Sequence, residues 1–252
     1  RLAVSVSPGM GPVLSVMEAW DTLRDKGPRR VLPTAVPALM PNAPAAAVGI
    51  ELGAHGGIHA PVSACASGAE AIAYGADLIA LGRAAHAKAR GARILAVLAG
   101  SGVTADAYDV ARPEPSGAEQ ERALRLALER AGLDPGCVGH VNAHATSTPA
   151  GDVVEAGVLA RTAPNAAVSA TKSATGHLLG GAGGLEAVLT VMALQARWAP
   201  PTLLPAGVDP ELAQLGLDVV GPQGRDLPQL TTAASTSFGF GGHNVALVFT
   251  RQ

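Results

Sequence analysis

The sequence predicts a layered α/β fold, and two observations support this prediction. Short apolar segments alternate with alanine-rich amphipathic segments along most of the chain, as strands and crossover helices do in α/β proteins. The chain has 252 residues, of which 48% are apolar and 15% charged, so it is long enough and apolar enough to bury a full core. We therefore expect a compact, globular α/β protein.

The first third of the chain contains segments with the periodicity of helices and segments typical of strands. Val13–Lys26 is amphipathic with helical spacing, and a Met-Pro-Asn turn precedes the alanine-rich segment Ala45–Leu52. The predicted elements are a strand over Leu2–Val6, helices over Val13–Lys26 and Ala45–Leu52, a strand over Ile58–Ser63 and a helix from about Ala66 to Leu81.

The remainder continues the alternation and closes on two strands joined by glycines. The segment Pro200–Pro228 holds six prolines and is predicted to be a long surface connection. The predicted strands are Ile94–Gly100, Val138–Asn142, Ala167–Ala170, Thr231–Ser237 and Asn244–Phe249, and the predicted helices are Glu119–Ala131, Asp152–Ala160 and Gly183–Gln195.

Charge, cysteine content and hydropathy exclude several classes of protein. The net charge of −2 argues against nucleic acid as a partner, because phosphate binding needs a basic excess. Cys65 and Cys137 do not form a disulfide framework, which predicts a reducing, cytoplasmic location. The longest apolar stretch, about 178–194, is glycine-rich and interrupted by Glu186, and no secretory signal is evident. The sequence therefore predicts no membrane span.

Cys65 lies in the motif Pro-Val-Ser-Ala-Cys-Ala-Ser-Gly-Ala-Glu, between a predicted strand and a predicted helix. The dipole and free amides of a helix N-terminus favour a thiolate and lower a cysteine pKa from roughly 8.5. Small neighbours leave room for a carbonyl group, and nearby amides can form an oxyanion hole. Taken alone, a free cysteine is more often a small buried apolar residue. Cys137 has only that structural interpretation.

Two histidines follow in motifs that suit a buried site. His144 lies in Asn-Ala-His-Ala-Thr-Ser-Thr-Pro, just after a predicted strand, and His177 ends Thr-Lys-Ser-Ala-Thr-Gly-His before a glycine-rich segment. A neutral imidazole held in one tautomer can donate to a developing oxyanion. Either histidine alone is more often structural, and the spacing lacks the paired ligands that zinc requires.

With Ser-Phe-Gly-Phe-Gly-Gly-His-Asn at 237–244, the sequence has four motifs that resemble those of the β-ketoacyl-acyl-carrier-protein synthases. These are condensing enzymes of the thiolase superfamily, and the resemblance is to the type II elongating enzymes of actinobacteria. It implies a thiolase-like αβαβα fold of two similar halves. Residues 1–85 would belong to the N-terminal half with Cys65, and residues 86–252 to the C-terminal half with both histidines.

The resemblance also implies roles for individual catalytic residues. Cys65 would accept an acyl chain as a thioester, and His144 and His177 would bind the malonyl thioester, promote loss of carbon dioxide and stabilise the enolate. Lys172 would organise the histidines. The amides of Cys65 and Phe240 would form the oxyanion hole, and the Phe240 side chain would act as a gate. The implied reaction is the decarboxylative Claisen condensation of fatty acid elongation.

Further implied features concern the substrate, a cation and the partners. The resemblance implies no catalytic metal and no cofactor beyond the phosphopantetheine of the substrate, which is acyl carrier protein. It implies a homodimer, and the basic residues at 24–30 are a candidate carrier-protein surface, although a solvated helix end is the commoner explanation. Thr146, Thr148 and Phe238 would bind substrate, and Asn142 and Glu186 would surround a structural or monovalent-cation site.

The sequence also departs from the family pattern. Members are considerably longer, and the segment ending at Ala85 passes directly into His86 where relatives carry further residues. We therefore expect segments before the first strand and between the two halves to be missing. Two local changes are Asp109, where relatives usually have histidine, and Thr236, where they usually have asparagine.

Several alternatives stay open at this stage. The chain can be a polyketide ketosynthase or a non-catalytic chain-length partner subunit, although such partners usually lose the cysteine that is present here. A cysteine hydrolase would not need the second histidine. A thiolase would carry a second catalytic cysteine near the C-terminus, and none follows Cys137.

Overall fold

The computed structural model describes residues 2–79, 87–204 and 207–252. The strands are β1 Val4–Ser5, β2 Ile58–His59, β3 Val97–Ala105, β4 His140–Asn142, β5 Ala167–Ser169, β6 Trp198–Ala199, β7 Asp218–Val219, β8 Arg225–Asp226, β9 Thr232–Gly239 and β10 His243–Thr250. The helices are α1 Val13–Lys26, α2 Ala35–Leu39, α3 Ala43–Glu51, α4 Ser67–Ile79, α5 Ala118–Ala131, α6 Pro149–Thr162, α7 Lys172–Thr175, α8 Ala182–Ala196 and α9 Pro210–Ala213.

The main sheet has six strands in the order β3-β10-β9-β4-β5-β7. β10 runs antiparallel to both β3 and β9, whereas β4 runs parallel to β9 and β5. One layer of the core lies under α5 and α6, and a second lies under α4 and α8. Helices on both faces of a mixed sheet confirm the predicted layered α/β fold.

A second, small sheet pairs β1 with β2 in parallel. It contributes the N-terminal layer beside α3 and α4, which pack against β1. Helices α1 and α2 contain no buried residues among 13–26 and 35–39. The residues up to α4 therefore build much less core than the six-stranded sheet does.

Helices α4 and α8 cross at very short distance, and glycines make this crossing possible. A Cβ atom on Gly68 would lie 2.7 Å from the Gly184 backbone nitrogen, and one on Gly183 would lie 2.8 Å from the Ala69 Cβ. Any larger side chain would push the two helices apart. Because α4 follows Cys65 and α8 follows His177, this contact brings two sequence motifs together.

Most predicted elements are confirmed, and the errors have physical reasons. Strand β3 is shifted towards its C-terminal side relative to the predicted 94–100, because it pairs along its whole length with β10. The predicted strand ends at Gly100, but the observed strand continues through Gly102, where a Cβ would lie 1.9 Å from the Ala123 carbonyl oxygen of α5. The glycine therefore lets the helix lie directly on the strand.

Two other predictions need correction. The strand predicted over 58–63 is only Ile58–His59, because its partner β1 has two residues. The connection 200–228 contains the short elements α9, β7 and β8. The end of the helix predicted to reach residue 81 and the proposed boundary at 85/86 lie outside the described residues.

The segment Leu179–Ala196 is long and apolar enough, by length and composition only, to cross a membrane, with a mean hydropathy of 1.3. In the fold most of this segment is helix α8, which packs against β9 and α4. Its buried positions include Glu186 and Thr190 as well as Leu194. These contacts indicate a core helix of the layered fold.

Candidate active site

Cys65 lies in a 3-10 turn, Ala64–Ala66, that runs directly into helix α4. The hydroxyl of Ser67 accepts from the Ser63 backbone N–H at 2.9 Å and donates to the Ala64 carbonyl at 2.7 Å. Ala64 adopts a φ of 47°, a left-handed conformation that a non-glycine residue rarely adopts. The two hydrogen bonds hold this strained turn and place Cys65 at the start of the helix.

Strand β9 ends against the backbone of this turn. A Cβ on Gly239 would lie 2.5 Å from the Ser63 carbonyl oxygen and 3.3 Å from the Cys65 backbone nitrogen. Only glycine fits at this separation without displacing the turn. The glycine therefore allows Phe240, the next residue, to follow within a short distance of the Cys65 amide.

The sequence-based prediction of a lowered Cys65 pKa is wrong in direction. The thiol is partly buried, and this desolvation raises its pKa above the ordinary value, while the Lys172 ammonium and a backbone N–H oppose the rise. Burial has the larger effect, because the thiolate loses more stabilisation from water than it gains from the helix terminus and the Lys172 charge. The resting site therefore holds a thiol.

His144 is positioned by a buried carboxylate. Strand β4 ends at Asn142, and the backbone N–H groups of His144 and Ala145 donate to the two oxygens of Glu155 at 2.8 and 2.7 Å. Ala145 has a φ of 30°, so the chain turns sharply immediately after the histidine. The carboxylate stabilises this turn, and the Thr236 hydroxyl donates to the same carboxylate at 2.7 Å.

The two predicted catalytic histidines meet in space. The ring centroids of His144 and His177 are 5.6 Å apart at an interplanar angle of 88°, and the Phe238 ring lies 5.6 Å from His144. Burial lowers the pKa of both imidazoles, and the positive charge of Lys172 lowers both further. Both rings are therefore neutral at pH 7 and able to donate one N–H each.

Lys172 forms a buried ion pair with Glu186. The two side chains are 4% and 3% exposed, so the ammonium is close to the site without lining it. Burial raises the pKa of Glu186 to about 7, although Lys172 opposes this rise. Lys172 acts on Cys65, His144 and His177 through its charge. Glu186 is thus a buried group of the site.

Asn142 lies near Glu186, with which it was grouped in the sequence analysis. Its side-chain amide N–H donates to the Glu186 carbonyl at 3.4 Å, and its amide oxygen accepts from Thr171 at 2.9 Å. The second carboxylate oxygen of Glu186 is buried without a partner, as is the hydroxyl of Ser237.

The predicted reactive and substrate-binding residues share one cavity of about 520 Å³. Phe240 is 65% exposed at its entrance, and the hydroxyls of Thr146 and Thr148 are 3.1 Å apart. Lys172, Asn142 and Glu186 lie behind the wall. The predicted residues that line the cavity are Cys65, His144, Thr146, Thr148, His177, Phe238 and Phe240.

Sequence reasoning missed three residues of this site. Glu155 is the carboxylate that positions His144, and Asp106, just after β3, accepts from the buried Asn244 of β10 at 2.6 Å. Asp152 lines the cavity, and burial raises the pKa of its carboxyl. Asp152 and Glu155 are three residues apart on α6, so their shared helix face was the signal available in the sequence.

Comparison with known proteins identifies the family. The N-terminal domain of the β-ketoacyl synthases matches residues 2–107, and their C-terminal domain matches residues 95–204. The chain is 37% identical to the 3-oxoacyl-(acyl-carrier-protein) synthase 2 of Mycobacterium bovis, covering 100% of this chain and 75% of that protein. With the synthase 2 of Staphylococcus aureus the identity is 34%, covering 99% of this chain and 75% of that one.

Solved structures give the same fold. A β-ketoacyl synthase from Burkholderia phymatum superposes with a TM-score of 0.89 at 30% identity, covering 100% of this chain and 76% of that one. The ishigamide ketosynthase/chain length factor, at 23% identity, also reaches 0.89, with 100% and 76% covered, and shows the fold alone. The Mycobacterium bovis match spans 315 positions against 252 residues here, so that relative carries additional residues inside the matched range. The chain has the thiolase-like fold and belongs to the β-ketoacyl synthase family.

Proposed function

We propose that this chain catalyses decarboxylative Claisen condensation between an acyl chain on Cys65 and malonyl-acyl carrier protein, in fatty acid elongation. The observation that carries this proposal is that one cavity is lined by a thiol, Cys65, and by two neutral imidazoles, His144 and His177. Family membership supports the same reaction, because the relatives in Mycobacterium bovis and Staphylococcus aureus are 3-oxoacyl-acyl-carrier-protein synthases.

The first step is acyl transfer to Cys65. The sulfur attacks the carbonyl carbon of the acyl thioester, and the bond to the carrier sulfur breaks. The proton of the Cys65 thiol leaves with the carrier thiol. The amides of Cys65 and Phe240 stabilise the oxyanion, a role supported by the close approach of Gly239 to the Cys65 amide.

The second step is condensation. The malonyl carboxylate leaves as carbon dioxide, and the electron pair of the broken carbon–carbon bond forms an enolate on the thioester. The N–H groups of His144 and His177 donate to the enolate oxygen, which is possible because both imidazoles are neutral with one N–H each. The enolate carbon attacks the Cys65 thioester, the β-ketoacyl product stays on the carrier, and the released thiolate takes one proton from solvent.

The remaining site residues serve the substrate and the geometry. Thr146 and Thr148 line the cavity as a hydroxyl pair that fits the amides of the phosphopantetheine arm, and Phe240 at the entrance acts as the gate. Phe238 packs against His144 and forms the wall beside the acyl group. Lys172 lies behind the cavity wall in its ion pair with Glu186, and its positive charge helps to keep both imidazoles neutral.

Partners and an ion complete the proposal. Acyl carrier protein docks at the exposed basic turn that contains Arg29 and Arg30, next to helix α1. The chain forms a cytoplasmic homodimer, which large exposed apolar side chains such as Leu14, Trp20 and Ile50 support. A structural monovalent cation between Asn142 and Glu186 satisfies the buried carboxylate oxygen that has no partner. No other cofactor takes part.

The test is mass spectrometry of the protein after mixing with acyl-acyl carrier protein. We expect a mass increase of one acyl group, which disappears when malonyl-acyl carrier protein is added and a ketoacyl carrier two carbons longer forms. Cys65→Ala should abolish the increase, whereas Cys137→Ala, which changes an exposed cysteine, should retain it. Absence of acylation in the unmodified protein would favour the chain-length partner function. Repeated extension would instead indicate polyketide synthesis.

A further inference from the structure

Thr236, near the end of strand β9, contacts the turn that carries His144. Its hydroxyl donates to Oε1 of Glu155 at 2.7 Å and accepts from the His144 backbone N–H at 3.2 Å. The Asn142 carbonyl oxygen is farther from the hydroxyl, at 3.5 Å, so the hydroxyl hydrogen is directed to the carboxylate. The Thr236 side chain is buried, so water does not supply these contacts if the hydroxyl is removed.

The turn after His144 is strained and depends on Glu155. Ala145 and Ser147 have φ values of 30° and 63°, in the left-handed region that residues other than glycine rarely adopt. The backbone N–H groups of His144 and Ala145 bind the Glu155 carboxylate at 2.8 and 2.7 Å. Burial favours the neutral form of Glu155, and the Thr236 hydroxyl opposes this by donating to the carboxylate. Removing the hydroxyl therefore weakens the group that fixes the histidine.

Thr236 reaches the reaction only through these partners. Glu155 and His144 line the cavity with Cys65, whereas Thr236 is not among the described residues that line it. The two steps of the proposed reaction differ in their need for His144. Acyl transfer uses the thiol and backbone amides, whereas condensation needs the imidazole N–H at the enolate oxygen. A displacement of His144 therefore affects the second step and not the first.

We propose that Thr236 is a positioning residue for condensation. Its hydroxyl keeps the Glu155 carboxylate on the backbone of the His144 turn, and the turn keeps the imidazole N–H directed at the enolate oxygen. The inference deepens the proposed function, on which it rests. Because misplacing a reacting group by about 1 Å costs about hundredfold in rate, the hydroxyl contributes about tenfold to hundredfold to condensation. It contributes nothing to acyl transfer.

The experiment measures the two steps separately in Thr236→Val, which keeps the shape of the side chain and removes the hydroxyl. Mass spectrometry follows acylation of Cys65 by acyl-acyl carrier protein. The isolated acyl-enzyme is then mixed with malonyl-acyl carrier protein, and formation of the ketoacyl carrier gives the rate of condensation. We expect condensation to slow by about tenfold to hundredfold, while acylation stays within about twofold of the unmodified protein.

Two variants are the controls. Thr236→Ser keeps the hydroxyl and should condense within about threefold of the unmodified protein. Thr162→Val is the matched substitution, because the Thr162 hydroxyl is equally buried and also donates at 2.7 Å, but to the Val158 carbonyl of its own helix. It should leave both steps unchanged. Unchanged condensation in Thr236→Val, equal slowing of both steps in that variant, or equally slow condensation in Thr162→Val or Thr236→Ser would overturn the proposal.

A spectroscopic measurement separates this inference from the proposed function. The imidazole NMR resonances of His144, identified by their absence in His144→Gln, report the placement of the ring beside Phe238 and His177 without any turnover. We expect them to move in Thr236→Val and to stay in place in Thr162→Val. If they move but the unmodified protein is never acylated, the positioning role stands and the proposed function fails. If condensation occurs and Thr236→Val changes neither resonances nor rate, the proposed function stands and the positioning role fails.

Discussion

Replacing Thr236 with valine tests the carboxylate that positions His144. The Thr236 hydroxyl is buried and donates to Glu155 at 2.7 Å, and the same carboxylate accepts the backbone N–H groups of His144 and Ala145. Thr236→Val keeps the shape of the side chain and removes this donor. A hydrogen bond to a charged group contributes about 1.5–3 kcal/mol. We therefore expect the free energy of unfolding to fall by about 2 kcal/mol, which corresponds to about 4–8 °C in Tm.

The loss should depend on pH in a defined direction. Burial raises the pKa of Glu155, and the Thr236 hydroxyl lowers it by stabilising the carboxylate. Without that hydroxyl the folded-state pKa rises further, so the variant loses more stability at pH 8, where the carboxyl must ionise, than at pH 5. Urea unfolding followed by circular dichroism at both pH values measures this difference.

Thr236→Ser is the matched control, because it keeps the hydroxyl and removes only a methyl group. We expect it to retain most of the stability and the pH dependence of the unmodified protein. The reasoning would be refuted if Thr236→Val stayed within about 0.5 kcal/mol of the unmodified protein, since its buried hydrogen bond would then contribute nothing. It would also be refuted if the serine variant lost as much as the valine variant.

Three further predictions concern other parts of the site and core. Burial lowers the pKa of His140 to about 4, so unfolding free energy should fall by up to about 3 kcal/mol between pH 6.5 and 4, and His140→Phe should flatten that slope. Gly239→Ala should abolish acylation of Cys65 while the protein stays folded, because the new Cβ meets the Ser63 carbonyl. Lys172→Met should slow iodoacetamide alkylation of Cys65 at pH 8, because the ammonium holds the thiol pKa down and its loss lets that pKa rise; an unchanged rate would contradict this.

The helices were largely predictable because their signals are local. Helix α1 has the bounds that its amphipathic spacing predicts, and α5 begins within one residue of the prediction. Strand limits were less predictable, because a strand ends where its partner ends. Ile58–His59 stops after two residues for this reason, and Val97–Ala105 extends to match β10. Pairing between residues distant in sequence cannot be deduced from either segment alone.

The reactive residues of the candidate site were predictable from the sequence, but the hydrogen bonds that position them were not. The motifs identified Cys65, His144 and His177 as the reactive groups, and the structure brings all three to one cavity. Nothing in the motifs identified Glu155 as the residue that holds His144, because its role depends on two backbone N–H groups ten and eleven positions earlier in the chain.

The sequence by itself determined the family chemistry, because a thiol, two imidazoles and a glycine-rich strand end in this order are what carbon–carbon bond formation on a thioester needs. Only the tertiary structure decided the charge states. Burial raises the pKa of the Cys65 thiol, although its place at a helix start indicated the opposite, and it keeps His144 neutral. The physical reason is that desolvation depends on how the whole chain packs around a group, whereas a motif specifies only the nearest neighbours in sequence.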